Sequence, residues 1–550
     1  MIIGLDMGGT NVDAVLLSEG RIKKTIKSVT DHENIFESIK KPLDEIMEGE
    51  DIKNIKKIVL STTISTNAIV EGKTEEVGMV LECGPGMNPQ FFKPLADICF
   101  VSGYIDHRGR EAFPLNSEEI RQAKETFKKK GLKNLGVVGK FSVRNPDHEK
   151  TMYKILKDKE NVVTMGHTLS GMLNFSRRVY STYLNSAVYS HFARFKNSVE
   201  AYFLKKGIKA PAYVLKADGG TLSLESSSKF PVETILSGPS ASIIGALALN
   251  HVDSDGIILD IGGTTTDIAV LSDGVPLFEP QGIEINGMKT LVRGLFSRSI
   301  GIGGDSYVRY ENGEIKIGPE RRGKAMAFGG QWLTLTDALI SAGKIDTGLK
   351  SKAEEGIKLI AEQMGVSFEE AVKAICKKAS TTITDYVRKL IREINNKPVY
   401  TINELLYGKK IQPQKAVIIG GPAKAMSELL EDQLGFPCIV PEHFEVANAY
   451  GAARSRTTTD LTLLADTALG ILTIGEEGIK QKIPKRFDVT QAHQILMDAL
   501  KQKALKLGAD ERDLEPEIVE EQSFNVVRGF YTTGKIIRLK AQIRPVIKPE

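Results

Sequence analysis

The sequence predicts an α/β protein of two related halves, and three observations carry that prediction. Short apolar runs that fit buried strands alternate with stretches of helical spacing over most of the chain. Two of these runs end in matching loops, Asp6-Met7-Gly8-Gly9-Thr10-Asn11-Val12-Asp13 and Asp260-Ile261-Gly262-Gly263-Thr264-Thr265-Thr266-Asp267. At 550 residues the chain is too long for one hydrophobic core, which points to roughly two to four domains.

The elements follow in order. A strand over residues 2–5 runs into a Gly-Gly turn, and strands at 12–17 and 21–29 follow, then a helix at 35–47. Strand character resumes at 58–60 and leads into Ser61-Thr62-Thr63-Ile64-Ser65-Thr66-Asn67-Ala68, a polar turn that opens a helix. A strand at 77–81 precedes a Gly- and Pro-rich region, 84–115, read as loop. A charged helix at 117–130 and a strand at 135–140 form another αβ unit. A long helix covers about 170–206, and a strand at 213–216 follows it. Ser237-Gly238-Pro239-Ser240 precedes a small-residue helix at 241–249. The strand at 256–260 feeds the second loop. Helices are expected at 354–364, 368–378 and 381–394, and a buried strand at 416–419 ends in Gly420-Gly421-Pro422. After residue 457 the pattern changes to a helix at 489–507 and strands at 523–527 and 535–544, a small α+β unit.

With 41% hydrophobic and 26% charged residues, the composition is that of an ordinary globular protein. The formal charge is only +4, lysines are dispersed and there is one Trp, so no nucleic-acid surface is expected. Met1-Ile2-Ile3-Gly4-Leu5-Asp6 reaches an acid without a basic leader. No apolar run approaches the roughly 20 residues that span a bilayer. The expectation is a cytoplasmic protein without a membrane partner. Cys83, Cys99, Cys376 and Cys438 form no CxxC pair. Cys83 and Cys99, with His107 nearby, are read as core thiols in preference to a metal site.

The loops carry the chemistry. Glycines without Cβ let backbone N–H groups approach an anion, and hydroxyls of Thr10, Thr264 and Thr265 add hydrogen bonds to phosphate oxygens. A carboxylate at a strand end, Asp6 or Asp260, suits Mg2+ held through water. One such loop alone also fits a hairpin turn. Two copies with the same spacing suggest halves that grip a polyphosphate and its metal from opposite sides. Gly420-Gly421 adds a third turn against which an adenine ring can pack. No GxxxxGK[ST] loop and no HExxH pair is present.

Taken in order, these motifs resemble the phosphate-1, phosphate-2 and adenosine motifs of the superfamily of sugar kinases, acetate kinase, actin and the large heat-shock chaperones. Within it the chain is most similar to the hydantoinase/oxoprolinase family, as a hydantoinase A-like subunit. Residues 6–13, 61–68, Ser237-Gly238-Pro239-Ser240-Ala241, 260–267, Gly301-Ile302-Gly303-Gly304-Asp305-Ser306 and Gly420-Gly421-Pro422-Ala423 carry the similarity. The resemblance implies two ribonuclease-H-like (actin-like) halves around a nucleotide cleft, with loop and helical insertions and a small C-terminal α+β unit. It divides the chain at 1–168, 169–456 and 457–550.

The resemblance also implies ATP-dependent opening of a cyclic amide, hydantoin or 5-oxoproline-like, through a phosphorylated intermediate. Carboxylation, small-molecule phosphorylation and a non-catalytic ATP switch are the other readings on the same scaffold. It gives Asp6 and Asp260 the catalytic and Mg2+-orienting roles. Gly8, Gly9, Thr10, Asn11, Gly262, Gly263, Thr264, Thr265, Gly303, Gly304, Gly420 and Gly421 hold ATP; Thr62, Thr63 and Asn67 face the substrate. A second, hydantoinase B-like subunit or a homo-oligomer is the implied partner.

The chain departs from the family pattern in three places. Asp305 interrupts a loop that is usually three glycines and Ser, and would repel phosphate unless paired with a cation. Leu60-Ser61 stands where His-Gly is usual, which removes a potential acid/base. Cys83-Gly84-Pro85-Gly86 differs from the usual stretch after Glu82. Substrate specificity is assigned to the unmatched regions 84–115 and 280–330.

Overall fold

The computed structural model describes residues 1–550 apart from Thr10, 32–34, 93–94, Ala96, 397–408 and 545–550. Two sheets of the same design form its centre. In the first, Ile2–Met7 pairs antiparallel with Asn11–Ser18, which pairs antiparallel with Arg21–Val29. On its other side Ile2–Met7 runs parallel to Lys57–Thr62, and that strand parallel to Ala212–Leu215. The second sheet repeats the plan. Gly256–Ile261 pairs antiparallel with Thr266–Ser272 and parallel with Lys415–Ile419, beyond which lies Cys438–Ile439. These are the two ribonuclease-H-like halves that the sequence motifs imply.

The central strands are apolar throughout because they are covered on both faces. Ile3, Leu5 and Met7 join Phe192, Phe195, Val199 and Tyr202 of the long helix Phe175–Lys206 in one core. In the other half Ile257, Leu259 and Ile261 pack against Leu335–Ser341, Lys350–Met364 and Phe368–Asn395. Capping boxes at Thr334/Asp337 and Ser367/Glu370 start the first and third of these helices.

A parallel sheet of Val162–Met165, Asn134–Gly139, Val77–Glu82 and Asp97–Phe100 is inserted into the first half. Phe175, Val179 and Ala187, on the N-terminal part of the long helix, pack on it, while the C-terminal part covers the first sheet. One helix serving two sheets explains why its apolar residues do not keep to a single stripe. It also moves the limit of the first half. Strands Ala212–Leu215 and Thr221–Ser223 complete the first sheet, so the boundary read at residue 168 precedes elements that belong to this half.

Other expectations are also revised. The helices expected at 368–378 and 381–394 are one helix, because Ala379-Ser380 contains no breaker and the buried Ser380 hydroxyl donates to the Lys377 carbonyl. The region 84–115 holds short strands at Asp97–Phe100, Tyr104–Ile105 and Glu111–Phe113. The last two form a small hairpin. Helix Asp147–Leu156 and strand Val162–Met165 were not anticipated. The C-terminal unit has five strands, not two: Ile479–Lys482, Ile471–Ile474, Asp460–Asp466, Tyr531–Ile543 and Pro516–Arg528, in that order. Ala492, Leu496 and Leu500 of helix Val489–Lys506 fill the inner face of this sheet.

Helix Ser237–Leu249 lies between the two central sheets and touches both, and Ala447–Arg454 crosses it on the first sheet and reaches the second through Ala447 and Asn448. They meet at backbone distance. A Cβ on Gly245 would lie 2.0 Å from the Ala447 carbonyl oxygen, and one on Gly451 would lie 2.3 Å from that of Ala241. A Cβ on Gly4 would lie 2.1 Å from the Ala449 carbonyl oxygen. No side chain fits at these points. Gly451→Ala and Gly245→Ala are therefore expected to lower stability by about 1–3 kcal/mol each through overpacking. Thermal melts check this against Gly9→Ala, where a Cβ meets nothing within 4 Å and no loss is expected.

Candidate active site

Both DxGGTxxD loops are hairpin turns, and both line one open cleft of about 620 Å3 between the halves. Their geometry matches bond for bond. The Gly8 N–H donates to the Asn11 carbonyl at 3.0 Å, and the Gly262 N–H to that of Thr265 at 2.9 Å. In each hairpin the two aspartates face one another across the ladder, Asp6 opposite Asp13 and Asp260 opposite Asp267. The spacing that the sequence repeats is thus the spacing that places two carboxylates side by side.

Asn448 joins the two hairpins. Its Nδ2 donates to Asp6 Oδ2 at 3.3 Å and to Asp260 Oδ2 at 3.4 Å. The residue sits in the first turn of Ala447–Arg454, whose seat is fixed by the glycine contacts above. Ser242, on the crossing helix, donates to Asp260 Oδ2 at 2.5 Å. Lys27 pairs with Asp13 at 3.1 Å and is the only cation among the described residues lining the cleft.

So many carboxylates with one ammonium raise the cost of ionisation. Burial pushes Asp6 up to about 7, helped by the charges of Asp13 and Asp260 and opposed by the nearby Ser61 hydroxyl and the Asn448 amide. Burial and the Asp260 charge push Asp267 up to about 7 as well. Asp13 and Asp260 are raised by burial. Asp6 Oδ1 is buried without a hydrogen-bond partner. Such a group needs a proton or a cation.

The remaining turns close the cleft. The Gly304 N–H donates to the Gly262 carbonyl at 2.9 Å and the Asp305 N–H to that of Gly263 at 2.6 Å. Gly303 lies beneath, where a Cβ would be 2.6 Å from the Gly262 oxygen. The Asp305 carboxylate is paired with Arg321 at 2.9 Å, which supplies the cation that this departure from the family pattern requires. Gly420 has φ +91°, and its Cβ would strike the Ile261 oxygen at 2.4 Å, whereas Gly421 faces open space. The start of Ser237–Leu249 also reaches the cleft through Gly238 and Pro239.

Asp6, Gly8, Gly9, Asn11, Asp260, Gly262, Gly263, Thr264, Thr265, Gly304, Gly420, Gly421 and Thr63 all line the cleft. Three expected residues do not. Gly303 is the packed layer below. Thr62 is fully buried, with its hydroxyl accepting from the Ile64 N–H, and so does not face a substrate. Asn67 stands behind Thr63, donating to its hydroxyl at 3.2 Å. Thr10 lies outside the described residues. Asp13 and Asp267 were within the quoted loops but had no role assigned, although their place opposite Asp6 and Asp260 follows from a hairpin with this spacing. Lys27, Ser242 and Asn448 carry no signal in the sequence. Cys83 is a core thiol, pushed up to about 11 by burial.

Comparison with known proteins gives the same assignment. The family profile described as hydantoinase/oxoprolinase N-terminal region matches residues 2–160, and that described as hydantoinase/oxoprolinase matches 178–461. An uncharacterized protein of Methanocaldococcus jannaschii is 26% identical over 70% of this chain and 64% of its own length. Caprolactamase subunit alpha of Pseudomonas jessenii is 23% identical over 70% of this chain and 62% of its own. The 5-oxoprolinase of Saccharomyces cerevisiae is 25% identical over 61% and 27%. The chain thus spans less than two thirds of each of these relatives.

Among solved structures, the ATP-dependent caprolactamase from Pseudomonas jessenii has a TM-score of 0.74 at 19% identity. A nucleotide-free acetone carboxylase has a TM-score of 0.71 at 17%. Each covers 100% of this chain and 88% of its own, and shows the same fold. Two matched hairpins on paired sheets and two family profiles in the same order lead to one conclusion: this chain belongs to the hydantoinase/oxoprolinase family.

Proposed function

We propose that the chain binds ATP in this cleft and uses it to open a cyclic amide. The observation that carries the reading is the pair of hairpins of matching register whose carboxylates Asn448 ties together across the cleft. Backbone N–H groups of Gly9 and Gly263 suit phosphate oxygens, and the N-terminus of Ser237–Leu249 adds a favourable partial charge. The flat Gly420-Gly421 turn suits the adenine.

Asp6, Asp13, Asp260 and Asp267, with one lysine among them, fit Mg2+. Among the described residues no cluster of three ligating side chains can hold an ion alone. These carboxylates would hold such an ion through water, the usual habit of Mg2+. When bound, it neutralises phosphate charge.

In the proposed reaction the amide oxygen attacks the terminal phosphorus of ATP and the bond to ADP breaks. Water adds to the activated carbon, the ring C–N bond breaks, and hydrolysis releases phosphate and the open amino acid. The protein's share is to position the groups and balance charge. Asp6 and Asp260 hold the ion or the attacking oxygen in place, and Thr63, braced by Asn67, stands towards the substrate. Relatives named as subunits support a second chain as partner. The fold shared with acetone carboxylase supports carboxylation as the second reading.

ADP release measured with a panel of lactams, hydantoins and 5-oxoproline, with and without a candidate partner chain, tests the first reading. Stimulation by a cyclic amide is expected. Turnover that instead requires a ketone and bicarbonate moves the assignment to carboxylation.

Asp6→Asn gives a second test. A carboxyl raised from 3.8 to about 7 on folding holds its proton in the native state after the unfolded chain has lost its own. Native stability therefore falls as pH rises from about 4 through 7. The asparagine variant is expected to melt with the parent near pH 4 and several degrees above it at pH 8, while losing at least about 100-fold in ATP turnover. Melting curves across this range, and ADP release at pH 8, check both.

A further inference from the structure

One large apolar side chain of the cleft stands without cover. Phe328 lines the cleft and is 49% exposed, while its neighbour Ala327 is buried in a small core with Ile340 and Ala353. A lone exposed phenylalanine is ordinary on an outer surface. This one stands in a concave site, and the backbone that carries it is fixed. The fully buried Asp337 carboxylate accepts from the Met326 N–H at 3.0 Å and from the Ala327 N–H at 2.8 Å. The turn Met326–Phe328 closes through the Phe328 N–H, which donates to the Ala325 carbonyl at 2.9 Å, and Gly329, at φ +84°, ends it. Gly348 has φ +92°, and a Cβ there would lie 3.0 Å from Phe328 Cε1, so the ring rests against backbone at that point.

A chain of contacts joins this turn to the late glycine pair. The Thr336 hydroxyl donates to the Gly304 carbonyl at 2.9 Å, and a Cβ on Gly304 would lie 3.1 Å from Pro422 Cγ. Thr336 directly precedes Asp337, which holds the Phe328 turn. Phe328, Thr336, Ile345, Gly421 and Pro422 all line the cleft, and a Cβ on Gly421 would meet nothing within 4 Å. This stretch of wall offers a phenyl ring, an aliphatic side chain and a proline, where the two hairpins offer carboxylates and glycine backbone.

We infer that Phe328 stacks on the base of the bound nucleotide and, with Ile345 and Pro422, forms the apolar end of its site. The inference rests on the ATP reading above and adds to it a side chain that none of the glycine motifs contains. A planar base covers the exposed ring and gains a stacking partner in return. Because every base has a π face, the contact supplies affinity for the base without choosing among bases. The fixed turn beneath the ring means that little freedom is lost when the base arrives.

Isothermal titration calorimetry on the full chain with Mg2+ and a non-hydrolysable ATP analogue tests the contact, with tripolyphosphate and Mg2+ as the probe that lacks a base. Phe328→Ala, checked for native folding by circular dichroism, is expected to bind the analogue about tenfold more weakly than the parent. Phe328→Trp is expected to keep the parent's affinity, and tripolyphosphate to bind all three proteins alike. If the parent does not bind the analogue, the ATP reading fails and this inference with it. If the parent binds it but Phe328→Ala binds it equally well, or loses tripolyphosphate in the same proportion, the ATP reading stands and this inference is overturned.

Discussion

The architecture depends on one contact, the crossing of Ser237–Leu249 over Ala447–Arg454 with Ile2–Met7 against it. Gly4, Gly245 and Gly451 leave the three backbones in close approach, with only the Ala453 methyl against Gly4. That closeness sets how near the two sheets stand. It also brings Asn448 within reach of Asp6 and Asp260 together, which a helix held farther off by larger residues cannot do. The polar geometry of the cleft is thus a result of packing at a site with no polar side chain in it.

The carboxylates are the complementary feature. A stable fold avoids burying like charges without partners, since each carries a desolvation cost. Here four aspartates share one lysine, and one oxygen of Asp6 is left without any bond. The rest of the fold supplies the compensating stability through three large apolar cores. A site of this kind is stabilised by whatever positive charge enters it, so its cost in the free chain and its affinity for a cation have the same origin.

Much of the site was legible because the hairpin repeats a pattern visible in one dimension. Asp6, the glycines and Asp260 sit on strand ends that their apolar neighbours mark, and Gly420 is a glycine because no Cβ fits beside Ile261. Lys27, Ser242 and Asn448 were not legible, since each reaches the cleft from an element whose position only the tertiary packing determines. Thr62 misled for the converse reason: it is the buried last residue of Lys57–Thr62, while its neighbour Thr63 leaves the strand to start the next helix and faces the cleft. In the fold, the inserted sheet was half read because its strands are short and the buried stripe of helix Asp147–Leu156 includes the polar His148 and Glu149. The tail strands were underread because Asp460–Asp466 follows the preceding threonines without a turn signal.

The long helix Phe175–Lys206 has a mechanical consequence. Its 32 residues are packed on the inserted sheet at one end and on the first central sheet at the other. A continuous hydrogen-bonded rod with both ends clamped does not bend at the middle, so the inserted sheet and the first half travel as one lever. Any opening or closing of the cleft must therefore swing the far end of that lever through a longer arc than the hairpins themselves. A displacement of the hairpins too small to alter their hydrogen bonds is thereby magnified at the outer edge of the inserted sheet.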